Sequence, residues 1–445
     1  MSETASAFPP TLEVEPLARP PRATVRVPGS KSITNRALVL AALSGRGCEL
    51  HGALRSEDTE VMVKALRALG FVVKADWPNS VLSVGPTSGG RVIPEREATL
   101  FVGNSGTTMR FLTALVSLGQ GTYRLDGVPR MRERPLGDLL SALRQLSVQA
   151  RSERNNGCPP VVVEANGLSG GRVELKGDVS SQFLSGLLMA APCAKDWVTV
   201  HCRGPHVSWP YVLMTAEMMN QFGARVMPTE PSKFVVPAPQ QFGRSAYTIE
   251  PDASAASYFF AAAAITGGEV SLPSFGDDEW PGYQARHTNR LQGDVRFIDV
   301  LQTMGCEVHR GQESLTVYGR PLHGIDVDMN DISDTVMTLA AVACFADGPT
   351  TIRNVAHVRH KETDRLAALA TELRRLGAEV EERADGLTIT PRRLHGAEVE
   401  TYNDHRMAMS LALVGLRVPG VVIKNPACVT KTYPGFFADL ERLRC

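Results

Sequence analysis

Apolar positions along the chain fall into two helix patterns that recur together. The first is an amphipathic helix that ends on Gly or a small residue and runs into an alternating segment. ALRALGFVV (65–73), ALRQLSVQA (142–150), MMNQFGARV (218–226), VLQTMGCEV (300–308) and ELRRLGAEV (372–380) align without gaps, at offsets of 77, 76, 82 and 72 residues. Gly after the last helical turn suits a left-handed cap, and the alternation predicts a strand. The second pattern is a helix that is apolar nearly all round and therefore expected to be buried. Its copies are RALVLAAL (36–43), RFLTALVSL (110–118), QFLSGLLMAA (182–191), SYFFAAAAI (257–265), VMTLAAVACF (336–345) and RMAMSLALVGL (406–416). Two helix families in phase, six times over, predict about six α/β units that fill nearly the whole chain. A sixth copy of the first pattern opens at DLERLRC (439–445), where the sequence ends before its strand.

The residues that open each buried helix carry the candidate chemistry. They are Lys31-Ser32 with Arg36, Gly106-Thr107 with Arg110, Ser180-Ser181-Gln182, Asp252 with Ser254, Asp334, and Asp404-His405-Arg406. A helix N-terminus presents unpaired N–H groups and a partial positive charge, so it attracts anions. Ser and Asp there are ordinary N-caps, which accounts for Ser254 and Ser181. Lys31, Arg36, Arg110 and Arg406 instead oppose the helix dipole. Together they predict a bound anion that satisfies both.

Composition narrows the partners. Lys plus Arg and Asp plus Glu are 47 each, for a net charge of zero. That argues against a general nucleic-acid or membrane-surface binder. The longest apolar run, YFFAAAAI (258–265), is far short of the roughly 18 residues that suggest a membrane helix. Eight cysteines with no C-x-x-C pair read as thiols in a reducing compartment, with no zinc site or disulfide frame. The N-terminal MSETASAFPPTLEVEPLARPP lacks an apolar signal core and carries Glu3, Glu13 and Glu15, so it reads as a loose cytoplasmic lead-in.

Six segments add detail. PGSKSITNRA (28–37) sets Lys-Ser at a helix start without a nucleotide P-loop pattern. GNSGTTMR (103–110) suits backbone N–H groups that approach an anion closely. PRMRERP (129–135) packs three arginines between prolines, so at least one is free to aim inward while the others form a solvated face. HKETDRL (360–366) places Lys361 and Arg365 four apart on one helical face; a surface ion-pair ladder is the plainer reading. YNDHRMAM (402–409) sets His405 and Arg406 at an apolar helix. VTKTYPGFF (429–437) puts Lys431 in a turn before the last helix.

Taken together, PGSKSITNRA, LFVGNSGTTMR, PRMRERP, VSSQF, DMNDISD, KETDRL, NDHRMAM and KTYP, in that order from about Pro28 to Pro434, resemble the enolpyruvyl transferase family, in its branch that uses shikimate 3-phosphate. The resemblance implies an α/β (α+β) fold of two domains around an interdomain cleft, each of three βαβαββ units about a pseudo-threefold axis. The first domain is expected at 31–249 and the second at 1–30 plus 250–445, with residues around 22–28 supplying the strand that the C-terminus lacks. Two chain crossings, near 29–31 and 248–252, would form a hinge.

The implied reaction moves the enolpyruvyl group of phosphoenolpyruvate onto the 5-hydroxyl of shikimate 3-phosphate and releases phosphate, a step of aromatic amino acid biosynthesis. No metal or organic cofactor is implied. By matching position, Lys31, Ser32, Arg36, Ser180, Ser181, Gln182, Ser208, Asp334 and Lys361 hold shikimate 3-phosphate. Lys31, Gly106, Arg134, Gln182, Arg365, Arg406 and Lys431 hold phosphoenolpyruvate. Asp334 is the expected base on the 5-hydroxyl and Glu362 the proton donor to carbon, with Lys31 beside both substrates. Keeping Glu362 protonated among cations needs burial or closure. A monomer is expected, with small-molecule substrates and neither nucleic acid nor membrane as partner.

Three departures stand out: His357 where the family often has Asn, Phe111 where many members have Pro, and a Gly-, Pro- and charge-rich insertion at 274–291. Gly106 is retained, as in members that bind the inhibitor glyphosate, which implies sensitivity. The rival readings are the sister branch that transfers enolpyruvyl to UDP-N-acetylglucosamine, and a non-catalytic anion-binding module. Lys31-Ser32, where the sister branch has Lys-Asn, favours shikimate 3-phosphate; a binding module has no need of Asp334 and Glu362 beside the cations.

Overall fold

The computed structural model describes residues 8–87, 90–273, 275 and 291–444. Apart from Phe275 and Leu291, the insertion expected at 274–291 lies outside the described residues. The chain divides into two compact units, residues 29–250 and residues 1–28 with 251–445.

Twelve α-helices follow one rhythm. The unit 29–250 carries α1 (Lys31–Ser44), α2 (Glu57–Ala68), α3 (Gly106–Leu115), α4 (Gly137–Gln145), α5 (Ser181–Ala190) and α6 (Pro210–Gln221). The other unit carries α7 (Ala253–Thr266), α8 (Phe297–Thr303), α9 (Val336–Ala343), α10 (Arg365–Arg375), α11 (His405–Gly415) and α12 (Phe436–Glu441). Odd-numbered helices are the apolar series: every residue of α3 and of α9 is buried. Even-numbered helices such as α2, α4 and α10 are buried on one side only, as a helix with one apolar stripe is.

The second repeat shows the unit cleanly. Strand Glu97–Phe101, α3, strand Gln120–Asp126, α4 and the pair Gln149–Ser152 and Val161–Asn166 run β-α-β-α-β-β. The first two strands pair in parallel and the rest antiparallel. A parallel pair needs a crossover, and the buried helix supplies it. Five four-stranded sheets and one three-stranded sheet repeat this plan.

Three repeats borrow strands from distant sequence. Ala246–Thr248 pairs in parallel with Arg46–His51 and so leads the first repeat. Arg22–Thr24 does the same for the fourth, pairing Arg22 with Glu269. The sixth sheet is completed by Thr11–Val14, antiparallel to Val421–Lys424. The expectation that residues around 22–28 supply the missing strand is thereby corrected. That stretch leads the fourth repeat, and a strand some ten residues earlier closes the sixth.

The gapless alignment of the first pattern has a backbone cause. At the aligned cap position Gly70, Gly223, Gly305 and Gly377 adopt φ of 87°, 83°, 113° and 100°. In the second copy Ser147 takes the same left-handed turn at φ 66° while exposed. A side chain there pays for its Cβ, on the order of 1 kcal/mol. Ser147→Gly is therefore expected to stabilise the protein, raising the Tm by about 2 °C in a thermal melt; a lower Tm would contradict this.

Candidate active site

In the unit 29–250, α1, α3 and α5 each start at a serine N-cap: Ser30, Ser105 and Ser180 accept from the N–H of Ile33, Thr108 and Gln182. This common local chemistry leaves the adjoining side chains at the open helix ends. Lys31, the first residue of α1, lies 3.4 Å from the buried carboxylate of Asp58. Arg36, one turn on, is wholly buried and turned into its own unit. Its Nε donates to Thr215 Oγ1 at 2.7 Å and its Nη1 to the Ser32 carbonyl at 3.0 Å. Nη2 reaches Ser185 Oγ and the Tyr211 carbonyl, and the guanidinium stacks 5.0 Å from the Phe111 ring. Burial lowers its pKa to about 10, so it remains a cation at neutral pH. A bound anion is thus not needed to explain Arg36, since hydroxyls and carbonyls occupy its N–H groups.

Arg110 and Arg134 are different. Arg110 Nη1 donates to Gln182 Oε1 at 2.9 Å, and Gln182 Nε2 reaches Thr107 Oγ1 at 3.4 Å. Arg134, alone of the three arginines between the prolines, is buried, and it donates to the Asn104 carbonyl at 3.1 Å. Arg130 and Arg132 pair instead with Glu133 and Asp126. Both buried guanidiniums converge on Gly106: a Cβ there would fall 2.4 Å from Arg134 Nη2 and 2.5 Å from Arg110 Nη1. Two like charges held this close, beside the start of a helix, make a strongly anion-attracting point.

Ser180 and Ser181 line a hollow with Lys176, His206 and Trp209, which the sequence patterns did not single out. Lys176 ends a strand and His206 lies in a loop, so no helix-start signal marks them. Ser208 is buried in the left-handed region at φ 51°, just before α6.

The unit 1–28 with 251–445 gathers carboxylates around one buried arginine. Arg365, 1% exposed, donates from Nε and Nη2 to Asp404 at 2.8 and 3.2 Å. Its Nη2 also meets Glu362 Oε2 at 2.9 Å, and its Nη1 reaches Asp334 Oδ1 at 3.4 Å. Burial works against its charge, but the carboxylates of Asp404, Glu362 and Asp334 more than offset that and raise its proton affinity. Asp404 also caps α11 by accepting from the Arg406 N–H at 2.9 Å. Arg406 Nη2 then donates to Asp334 Oδ2 at 2.7 Å, and Lys431 Nζ lies 3.9 Å from Glu362. Asp334, Glu362, Arg365, Arg406 and Lys431 therefore form one connected set.

Lys361 does not share a helical face with Arg365. It ends the 3-10 turn Ala356–His360, and α10 begins only at Arg365, capped by Asp364. The surface-ladder reading fails as well, because Arg365 is buried. His357 is buried close to Lys361 and Asp334; burial first, then Lys361, pushes its pKa down to about 3. It is neutral throughout the physiological range. Asp404 was seen in the sequence only as a helix opener; its grip on Arg365, 39 residues away, has no local signature.

Comparison with known proteins gives the context for this arrangement. The family model described as EPSP synthase (3-phosphoshikimate 1-carboxyvinyltransferase) matches residues 18–440. A 3-phosphoshikimate 1-carboxyvinyltransferase of Trichormus variabilis is 47% identical over 97% of this chain and 99% of its own length. One from Nostoc punctiforme is 48% identical over 96% of this chain and 97% of its own. Among solved structures, an EPSP synthase from Acinetobacter baumannii superposes with TM-score 0.77 at 25% identity, over 97% of this chain and 98% of that one. The chain belongs to the EPSP synthase (3-phosphoshikimate 1-carboxyvinyltransferase) family.

Proposed function

We propose that this protein transfers the enolpyruvyl group of phosphoenolpyruvate to the 5-hydroxyl of shikimate 3-phosphate, releasing phosphate. The observation that carries the reading is the pairing of Asp334 and Glu362 with the single buried guanidinium of Arg365. One carboxylate can take the proton of an alcohol, and a second, once protonated, can deliver one to a carbon.

Lys31, Ser32, Arg36, Ser180, Ser181, Gln182, Ser208, Asp334 and Lys361 are assigned to shikimate 3-phosphate. Gly106, Arg134, Arg365, Arg406 and Lys431, again with Lys31 and Gln182, are assigned to phosphoenolpyruvate. Asp334 takes the proton of the 5-hydroxyl as its oxygen attacks C2, and Glu362 protonates the methylene carbon. Loss of a proton and phosphate from the tetrahedral intermediate restores the double bond. The buried cations stabilise negative charge on the phosphate as it leaves, which is the term that charge preorganisation makes largest. Glu362 needs a proton to act as donor, and its ion pairs with Arg365 and Lys431 favour the ionised form. In this reading the arriving anionic substrates compete for those cations and free Glu362 to take one up.

Phosphate release from phosphoenolpyruvate is expected with shikimate 3-phosphate and not with UDP-N-acetylglucosamine, followed with a coupled phosphate assay. The reverse preference would move the assignment to the sister branch, and silence with both would leave a binding module. Asp334→Ala is expected to lower kcat at least about a hundredfold; turnover within twofold of the unaltered protein would remove Asp334 from the chemistry. Gly106→Ala puts a methyl group against both arginines and is expected to raise KM for phosphoenolpyruvate about tenfold, with a smaller change for shikimate 3-phosphate. An unchanged KM would show that Arg134, beside Gly106, does not hold phosphoenolpyruvate.

A further inference from the structure

We infer that Tyr258 is a positioning residue for Arg406, its hydroxyl fixing the guanidinium in the orientation that receives phosphoenolpyruvate. The inference rests on the reading of Arg406 as a phosphoenolpyruvate contact and Asp334 as the base. Tyr258 lies on α7 and Arg406 on α11, 148 residues apart, and both are buried. Arg406 Nη1 donates to the Tyr258 hydroxyl at 3.4 Å while Nη2 donates to Asp334 at 2.7 Å. A guanidinium is planar, so contacts at its two terminal nitrogens both constrain its plane.

The two contacts differ in kind. Asp334 carries a charge that a base gives up when it takes a proton, and its hold on Arg406 weakens at that moment. The hydroxyl of Tyr258 does not titrate in the working range: burial lifts its pKa to about 12, although Arg406 pulls the other way. It accepts from Arg406 without placing a second negative charge beside it. The ring itself is fixed independently, packed edge-on against Phe436 with centroids 5.5 Å apart at 74°. The hydroxyl is therefore held in place by packing that Tyr258→Phe preserves. At 3.4 Å the hydrogen bond is long, which puts its contribution at the low end for a hydrogen bond.

Steady-state kinetics of Tyr258→Phe test this. KM for phosphoenolpyruvate is expected to rise about three- to tenfold, with KM for shikimate 3-phosphate within about twofold and Tm essentially unmoved. Phe436→Leu, which loosens the packing that places the hydroxyl, should lower Tm and also raise KM for phosphoenolpyruvate. An unchanged KM for phosphoenolpyruvate in Tyr258→Phe would overturn the inference while leaving the proposed reaction intact. An equal rise for both substrates together with a lower Tm would also overturn it, by showing a purely structural role. No turnover by the unaltered protein would overturn the reaction itself, and the inference with it.

Discussion

Arg365 sets the terms for the carboxylate cluster of the unit 1–28 with 251–445. A guanidinium with 1% exposure cannot stay charged without partners, and desolvating it costs several kcal/mol before any pairing is counted. The chain meets that cost with three carboxylates from three separate segments: Glu362 just before α10, Asp334 just before α9, and Asp404 at the cap of α11. Each of these groups has a second engagement. Asp404 closes a helix end, Asp334 holds Arg406, and Glu362 faces Lys431. Fold and chemistry are thus tied at one point, because the groups read as base and acid also balance the charge of a core residue.

The unit 29–250 solves a related problem differently. Arg36 is buried to the same degree, yet its partners among the described residues are hydroxyls, carbonyls and aromatic faces, with no carboxylate among them. Its charge is solvated by dipoles and left without local neutralisation. Arg110 and Arg134 add two more buried cations around a residue that has no Cβ to separate them. Positive potential accumulates at helix starts whose own dipoles point the same way, a favourable setting for a multiply charged anion. The net charge of zero over the whole chain conceals this local excess.

The repeats were legible in the sequence because they rest on local rules. A left-handed cap calls for Gly, a buried helix calls for apolar residues on all faces, and both recur at one spacing; Ser147 shows the backbone plan persisting where the residue type lapses. Strand exchange was not legible to the same depth. Arg22–Thr24 and Thr11–Val14 are too short to state their partners, and register is decided by pairing with residues hundreds of positions away. The basic residues at helix starts were visible, but their fates were not. Arg36 and Arg110 give the same local signal, and only tertiary contacts separate a cation held by hydroxyls and carbonyls of its own unit from one converging with a second arginine on Gly106. Lys361 and Arg365 looked like neighbours on a helical face until the N-cap at Asp364 placed the helix start between them.

The central claim is that Asp334 and Glu362 work as one unit through Arg365. A double-mutant cycle of Asp334→Ala and Glu362→Gln, read as kcat/KM, addresses it most directly. Strong non-additivity is predicted, with the double variant losing far less than the product of the two single losses, as groups that act together behave. Losses that multiply independently would contradict the account.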